Sequence, residues 1–241
     1  PVFNNKNNTS TDFDGKKLMI VSFLEGKAKQ NLSPGNCKSI GAETAKMHEL
    51  TKNLKLKRQN DLSIQSWRKL FDIVKDKCTK IHKDLPKLIE ENLNDVEKNW
   101  PKNLPKGIIH ADLFHDNIFF IQDKFSGVID FYFSCEDYFA FEIAICFNAL
   151  CFDGLKNNLS FNVTKAKNFI DGYTSVRKLT SEERESIKVL SQGAALRFLL
   201  TRVFDTLNTV EDAIVKIKDP MEYLKRLDFH KNAKNYEDYF F

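Results

Sequence analysis

The sequence predicts an α+β fold in which a short strand-containing segment precedes a mostly helical body. Three observations support this prediction. Strand-like residues and a polar turn fill the first 26 positions, apolar residues recur at helical spacing after Ser33, and two short apolar runs at 107–120 and 125–133 interrupt the helices. The 241 residues are 42% hydrophobic and 29% charged, an ordinary globular composition for one large domain or two small ones.

The first segment is PVFNNKNNTSTDFDGKKLMIVSFLEG. It predicts a short strand, a polar turn that ends in Asp14-Gly15, and a second strand at Leu18–Phe23. Two strands alone are only marginally stable in water. We therefore expect these strands to belong to a larger sheet.

Helical periodicity dominates after Ser33. Ser33-Pro34 is typical of a helix N-cap followed by the first helical residue. Two further helices follow, with a break near Leu85-Pro86. The later helices are predicted at about 137–152, 164–175, 181–207 and 220–227, and residues 228–241 read as a polar tail with aromatic residues at its end.

Composition and charge exclude several classes of protein. A net charge of +4 without a basic block gives little support for a nucleic-acid partner. The five cysteines form no CxxC pair, which favours reduced thiols. The longest apolar run, YFAFEIAICFNALCF, is interrupted by Glu142 and is shorter than the roughly 20 residues of a membrane span. The chain opens without a signal-peptide pattern, so we expect a cytoplasmic protein with no membrane partner. The pattern predicts no particular oligomeric state.

Four polar residues at fixed spacing stand inside the apolar central runs. They are His110, Asp112, Asn117 and Asp130, in the pattern H-x-D-x4-N followed by eleven residues and then I-D. Phosphoryl transfer needs a carboxylate that orients a hydroxyl nucleophile and accepts its proton, and hard oxygen ligands that hold Mg²⁺ on nucleotide phosphates. Asp112 suits the first role, and Asn117 and Asp130 suit the second. His110 suits a supporting role in the catalytic loop, which it would order by hydrogen bonding.

The segments IIHADLFHDNIFF and GVIDFYFSCEDYFAFEIAICFNALCFD resemble the aminoglycoside-phosphotransferase-like kinases, a branch of the protein-kinase-like fold. Within that group they look closest to the bacterial homoserine kinases. The resemblance extends through IVSFLEG, GAETAKMHEL, NWPKNLP, GAALRFLLTRVFD and KDPMEYLKRLDFH, and so covers residues 18 to 230 approximately. It implies a remnant of the N-terminal nucleotide-binding lobe and hinge at 1–26, and a helical C-terminal catalytic and substrate-binding lobe at 27–241.

The same resemblance implies roles for individual residues. Asp112 would be the catalytic base, and Asn117 and Asp130 would bind Mg²⁺. The adenine of ATP would bind the backbone of a hinge segment formed by Ser22, Phe23, Leu24 and Glu25. The substrate pocket would lie in the C-terminal lobe, with four candidate side chains: Tyr132, Asn148, Arg197 and Arg202. A guanidinium of Arg197 or Arg202 could hold a substrate carboxylate through a bidentate fork.

The chain departs from the family pattern in three places. His115 stands where the family usually has proline, and Glu142 stands where it tends to have aspartate. No candidate for the nucleotide-covering loop and phosphate-binding lysine precedes Leu18.

The resemblance implies transfer of the γ-phosphate of ATP to the hydroxyl of L-homoserine, a step of threonine biosynthesis. Two alternatives stay open at this point. One is a kinase of the same fold for another small alcohol, such as choline, an aminoglycoside or a different amino alcohol. The other is a catalytically silent, kinase-like binding module, which the departure before Leu18 would favour.

Overall fold

The structure is a computed structural model that describes residues 1–154, 158–209 and 218–240. Its helices are α1 (Pro34–Thr51), α2 (Ile64–Val74), α3 (Leu85–Asn99), α4 (Phe139–Leu150), α5 (Val163–Val176), α6 (Ser181–Asn208) and α7 (Met221–Asn232). Its strands are β1 (Thr11–Phe13), β2 (Lys16–Leu18), β3 (Lys27–Ala28), β4 (Lys106–Ile109), β5 (Ile118–Ile121), β6 (Lys124–Val128), β7 (Cys135–Tyr138), β8 (Phe152–Asp153) and β9 (Ser160–Phe161). Short 3₁₀ turns include His115–Asn117 and Phe131–Phe133.

Helices form the core of the molecule. Every residue of α4 from Phe139 to Asn148 is buried, and α4 packs against α6. The long helix α6 also contacts α2, α3 and α7, while α1 packs against α5. In the part of the chain that the structure describes, no helix is both long and apolar enough to cross a membrane.

The predicted helix starts are confirmed at their caps. The Ser33 side chain accepts a hydrogen bond from the backbone N–H of Asn36, and the Asn36 side chain accepts one from the backbone N–H of Ser33. Pro86 lies in the first turn of α3, where its missing N–H has no helical partner to lose. The chain therefore enters both helices at the positions that local sequence favours.

The first strand pair differs from its prediction. Asp14 and Gly15 both have positive φ, 49° and 72°, as a two-residue hairpin turn of the right twist requires. This turn starts the pairing immediately, so β2 ends at Leu18, where the predicted strand was expected to begin. No regular strand follows at residues 19–25. The apolar side chains Met19, Ile20, Val21 and Phe23 are exposed.

Two small sheets position the central motif. Strand β5 lies between β3 and β6, and β4 pairs antiparallel with β7. Strand β4 runs into His110, β5 begins directly after Asn117, and β6 ends two residues before Asp130. These ladders bring sequence-distant polar residues to one edge. The pairing of β3 with β5 also ties the predicted hinge to this edge, and the division into lobes at 1–26 and 27–241 stays a prediction.

The end of the chain is packed more tightly than its polar composition predicts. The predicted start of the tail at residue 228 is wrong, because α7 continues to Asn232, and the aromatic end of the tail is packed, with Tyr239 completely buried. Tyr239 stacks on Phe147 at a centroid distance of 5.4 Å, and its hydroxyl lies 3.0 Å from Nδ1 of His230. The burial of the Tyr239 ring against Phe147 therefore holds the C-terminal segment on the core, although most of its other residues are polar.

The contact between α1 and α5 depends on glycine. A Cβ added at Gly172 would lie 1.9 Å from the carbonyl oxygen of Lys38, a backbone atom that cannot rotate away. We expect Gly172→Ala to lower the free energy of unfolding by about 1–3 kcal/mol, the usual cost of overpacking. Urea unfolding measures this. Gly35→Ala is the matched control, because its Cβ would meet only the Ser33 hydroxyl at 3.7 Å. Equal losses in both variants would contradict the prediction.

Candidate active site

Glu142 holds the loop that follows β4. Its carboxylate is completely buried and accepts the backbone N–H of Ala111 at 3.0 and 3.2 Å, and also the backbone N–H of His110. Ala111 has a φ of 64°, a left-handed conformation that a non-glycine residue keeps only when its surroundings hold it. Glu142 therefore fixes the strained turn that directs Asp112 out of the sheet.

Burial and charge act on Glu142 in opposite directions. Burial alone would raise the pKa of this carboxyl, but the imidazole of His48, the nearby His110 and the Ala111 N–H together lower it. The carboxylate is therefore ionised at neutral pH and accepts hydrogen bonds in that form. The resemblance implies aspartate at this position, and glutamate likewise provides a carboxylate for this backbone turn.

His110 orders the same loop, as predicted from its place in the motif. Its Nε2 lies 2.9 Å from the carbonyl oxygen of Ile129, and its Nδ1 lies 3.2 Å from the backbone nitrogen of Asp112. The Asp112 N–H can only donate, so Nδ1 accepts and Nε2 carries the proton that reaches Ile129. The imidazole thus joins the loop before Asp112 to the segment that leads to Asp130.

Asp112 and Asn117 are joined across the 3₁₀ turn. Nδ2 of Asn117 donates to the backbone carbonyl of Asp112 at 2.9 Å and to its Oδ2 at 3.2 Å. Because the amide nitrogen is used inside the loop, Oδ1 of Asn117 is the atom that remains for a cation. Burial raises the pKa of Asp112, against the lowering effect of the Arg197 charge. A raised pKa is what a carboxylate that accepts a proton during catalysis requires.

Asp130 lies beside this pair in an exposed position. Its φ and ψ are 64° and 63°, and its Oδ1 accepts the backbone N–H of Tyr132 at 3.4 Å. The carbonyl oxygen of Asn117 accepts the N–H of Ile129 at 3.0 Å, which holds the two segments together. Asn117 and Asp130 thus offer an amide oxygen and a carboxylate, the hard donors that suit Mg²⁺. No cluster of three or more His, Cys, Asp or Glu side chains that could hold a metal occurs among the described residues.

Arg197 lies behind the loop. It is 1% exposed, and its Nη1 donates to the carbonyl oxygen of Ala111 at 2.7 Å. Its guanidinium lies over the ring of Phe198 at 4.7 Å. The middle of α6 is buried on all sides, so the arginine supports the loop backbone and offers no open face to a substrate. We therefore leave Arg197 out of the substrate contacts proposed below.

Asn148 also belongs to the core. Its amide nitrogen donates to the carbonyl oxygens of Ala144 and Ser191, both at 3.0 Å, and its Oδ1 lies 3.2 Å from Nε2 of His230. The side chain is completely buried and its donors and acceptor are used within the protein. We leave it out of the substrate contacts for this reason.

Tyr132 and the hinge segment are both exposed. Tyr132 is 71% exposed beside Asp130, and its carbonyl oxygen accepts a hydrogen bond from Arg58 at 2.6 Å. The predicted hinge residues Ser22, Phe23 and Glu25 are exposed and Leu24 is half-buried. The Glu25 carbonyl oxygen accepts from the Ser126 hydroxyl at 2.5 Å, so the hinge lies against β6. The substrate contact of Tyr132 and the adenine-binding role of the hinge stay predictions.

Arg202 faces a cavity of about 900 Å³ that also touches the candidate catalytic loop. The cavity wall includes Phe114, His115, Asp153, Lys165, Arg202 and Arg226. The structure therefore brings Arg202 to the neighbourhood of the loop, and its role as a substrate contact stays a prediction. Arg226, Lys165 and Asp153 were not predicted, because they come from three separate elements and share no spacing with the motif. Arg226 stands in KDPMEYLKRLDFH, a segment that the family resemblance covers.

A helical body with an ordered H-x-D-x4-N loop and an exposed aspartate after a β-hairpin defines a kinase-like phosphotransferase. A family model described as the phosphotransferase enzyme family matches residues 7–178, and the chain belongs to that family. A homoserine kinase of Mesorhizobium japonicum is 41% identical over 225 residues, 93% of this chain and 69% of that protein. A homoserine kinase of Paramagnetospirillum magneticum is 44% identical over 225 residues, 91% of this chain and 68% of that protein. The predicted resemblance is confirmed.

Solved structures show the same fold at low sequence identity. An amicoumacin kinase in complex with AMP-PNP and Ca²⁺ has a TM-score of 0.64 and 12% identity, and the match covers 98% of this chain and 72% of that one. An ethanolamine kinase of Plasmodium vivax has a TM-score of 0.62 and 16% identity, with coverage of 94% and 68%. The predicted fold class, an α+β protein-kinase-like fold of the aminoglycoside phosphotransferase and choline kinase type, is confirmed.

Proposed function

We propose that this protein is an ATP-dependent homoserine kinase, which transfers the γ-phosphoryl group to the hydroxyl of L-homoserine in threonine biosynthesis. The observation that carries the proposal is the loop in which Asn117 donates to Asp112 and accepts from Ile129, the neighbour of Asp130, in a chain that is 40–44% identical to curated homoserine kinases over most of its length. The ordered state of this loop argues against a silent module, which has no chemical reason to keep it.

Asp112 is the proposed base. It projects from a turn held by Glu142, and a substrate hydroxyl beside it can donate its proton to the carboxylate while the oxygen attacks the phosphorus in line. A direct transfer needs no covalent enzyme intermediate. His110 keeps the loop in register, because both of its nitrogens are used by the backbone on either side.

Asn117 Oδ1 and the Asp130 carboxylate are the proposed ligands of Mg²⁺, which supplies positive charge against the phosphoryl oxygens when it is bound. Few protein ligands are expected, because Mg²⁺ keeps waters and phosphate oxygens in its shell. The exposed position of Asp130 leaves room for them.

The hinge segment Ser22, Phe23, Leu24 and Glu25 is proposed to bind the adenine through its backbone, since it lies against the hairpin that carries Asn117. On the substrate side, Arg202 is retained as a candidate contact because it faces the cavity beside the loop. Tyr132 is retained because it is exposed next to Asp130.

The proposal is tested by ADP release with Mg²⁺-ATP, using protein expressed from the complete reading frame. L-Homoserine, choline and kanamycin are compared as acceptors. We expect turnover with L-homoserine alone, since the cavity beside the loop carries both positive and negative side chains, which suits a zwitterion better than a quaternary ammonium. Turnover with choline or kanamycin and none with homoserine would keep the phosphotransferase and reject the proposed substrate.

A further inference from the structure

The cavity beside the catalytic loop is lined by residues of both charges. It is bounded on one side by Phe114 and His115, two and three residues after Asp112. The other walls come from the end of α4, from β8 and from α5, α6 and α7. Its volume of about 900 Å³ lies in the range of small-molecule sites. The position next to the loop makes it the natural place for the acceptor.

Three of the basic side chains in this cavity have acidic partners. Nζ of Lys165 lies 2.5 Å from Oδ1 of Asp153. Nη1 of Arg202 lies 3.0 Å from Oε2 of Glu222 and donates to the Asp219 carbonyl oxygen at 2.8 Å. The third is Lys218, whose Nζ lies 3.6 Å from a carboxylate oxygen of Asp116. These pairs neutralise one another within the wall.

Arg226 differs from them. Within the described residues, no carboxylate lies within 4.0 Å of its guanidinium. Its Nε is buried from solvent and has no hydrogen-bond partner within residues 1–154, 158–209 and 218–240. The guanidinium is held over the rings of Tyr223, at 4.5 Å, and Phe152, at 5.4 Å. Cation–π contacts fix its orientation but do not neutralise its charge.

We propose that Arg226 binds the α-carboxylate of the amino-acid acceptor in this cavity. The inference rests on the proposed function and deepens it by naming a residue that determines the substrate. A guanidinium already oriented by aromatic rings loses little freedom when it forms a bidentate fork with a carboxylate. Among the residues that the structure describes, its charge has no acidic partner of the kind that Lys165, Arg202 and Lys218 have. Asp219, an acidic residue of the same wall, can then face the α-ammonium, and the loop that carries Asp112 borders the cavity through Phe114 and His115.

The test compares two acceptors that differ only in the carboxylate, L-homoserine and 3-aminopropan-1-ol. For Arg226→Gln we expect the KM for L-homoserine to rise about 10- to 100-fold, the effect of losing hydrogen bonds to a charged group. The kcat/KM for 3-aminopropan-1-ol should stay within about threefold of the unmodified enzyme, because this acceptor has no carboxylate to lose. Arg226→Lys keeps the positive charge and an aliphatic side chain but cannot form the bidentate fork. Its KM for L-homoserine should lie between those of the unmodified enzyme and Arg226→Gln.

Arg68→Gln is the matched control. Arg68 pairs with Glu97 of α3 and takes no part in the cavity, so its loss should not change either KM. Circular dichroism and thermal unfolding show whether each variant is folded, and Arg226→Lys provides the result if the glutamine variant is not. An unchanged KM for L-homoserine in both Arg226 variants would overturn the inference and leave the proposed function intact.

Calorimetric binding of L-homoserine separates the two hypotheses if the unmodified protein shows no turnover. Lack of turnover would count against the proposed function. Binding that is weakened about tenfold or more by Arg226→Gln, and not by Arg68→Gln, would still support the carboxylate site. No binding of L-homoserine to the unmodified protein would overturn the inference as well.

Discussion

Asp112→Asn is expected to lower kcat by about 10²- to 10⁴-fold, the range that a positioned general base contributes. Asparagine has nearly the same shape but cannot accept the proton of the acceptor hydroxyl. The Asn117 amide can still donate to the backbone carbonyl of residue 112, as it does at 2.9 Å, so the loop should keep its form. The measurement is steady-state ADP release with Mg²⁺-ATP and L-homoserine.

The pH profile gives the same prediction a second readout. Burial raises the pKa of Asp112 above its ordinary value of 3.8, while the Arg197 charge limits the rise. The base works only when it is deprotonated, so kcat/KM should fall as the pH drops through this raised pKa. The acidic limb should be absent from the residual activity of Asp112→Asn.

Asp123→Asn is the control for this substitution. Asp123 is an exposed aspartate in the turn between β5 and β6, paired with Lys29 and not part of the proposed site. Its loss should leave kcat unchanged. If Asp112→Asn retained more than about a tenth of the unmodified kcat, Asp112 would not be the base.

Sequence alone was sufficient where the information is local. The capping pair Ser33 and Asn36, Pro86 in the first turn of α3, and the Asp14-Gly15 turn each follow from backbone preferences of a few residues. The motif residues also could be found, because their spacing corresponds to one loop and one hairpin. Local chemistry therefore predicted these caps and turns and the candidate loop, while the kinase-like fold class came from the family resemblance.

Local sequence could not show which arginine of the helical body faces a substrate. Arg197 lies between buried residues on every side of α6, and helical periodicity cannot separate a charged residue at a ligand from one under a loop. Arg226 was not predicted because its significance depends on which of the described side chains lie near it in space. The cavity is formed by residues that are far apart in the sequence. Local sequence patterns therefore cannot predict which side chains line it.

Glu142→Gln is expected to affect stability and activity together. The glutamine keeps one oxygen but replaces the other by an NH₂ group, which would point a donor at the backbone N–H groups of His110 or Ala111. We expect the free energy of unfolding to fall by about 3–5 kcal/mol, because a buried charged contact is broken and its N–H donors are left unpaired. Because the left-handed Ala111 would no longer be held, we also expect kcat/KM to fall about 100-fold through misplacement of Asp112.

Urea unfolding at pH 7 and at pH 4 tests the electrostatic part of this prediction. The pKa of Glu142 is lowered in the folded protein, so its ionised carboxylate contributes stability above the unfolded value of 4.5, and this contribution is lost as the pH falls toward the folded pKa. The difference between the unmodified protein and Glu142→Gln should therefore be larger at pH 7 than at pH 4. An equal difference at both values would mean that the carboxylate is held by shape and not by its charge.

Two further variants separate the role of Glu142 from general damage to the fold. Glu136→Gln removes a β7 carboxylate that pairs with Lys106 at 3.3 Å near the surface, a contact worth about 1 kcal/mol or less. It should leave kcat/KM unchanged. Glu142→Asp keeps the negative charge on a stem one methylene shorter, and the family tends to have aspartate here. Partial recovery of activity by aspartate, but not by glutamine, would show that the negative charge on the Ala111 turn positions the catalytic loop. If both variants lost stability and kept full kcat/KM, Glu142 would support the core alone.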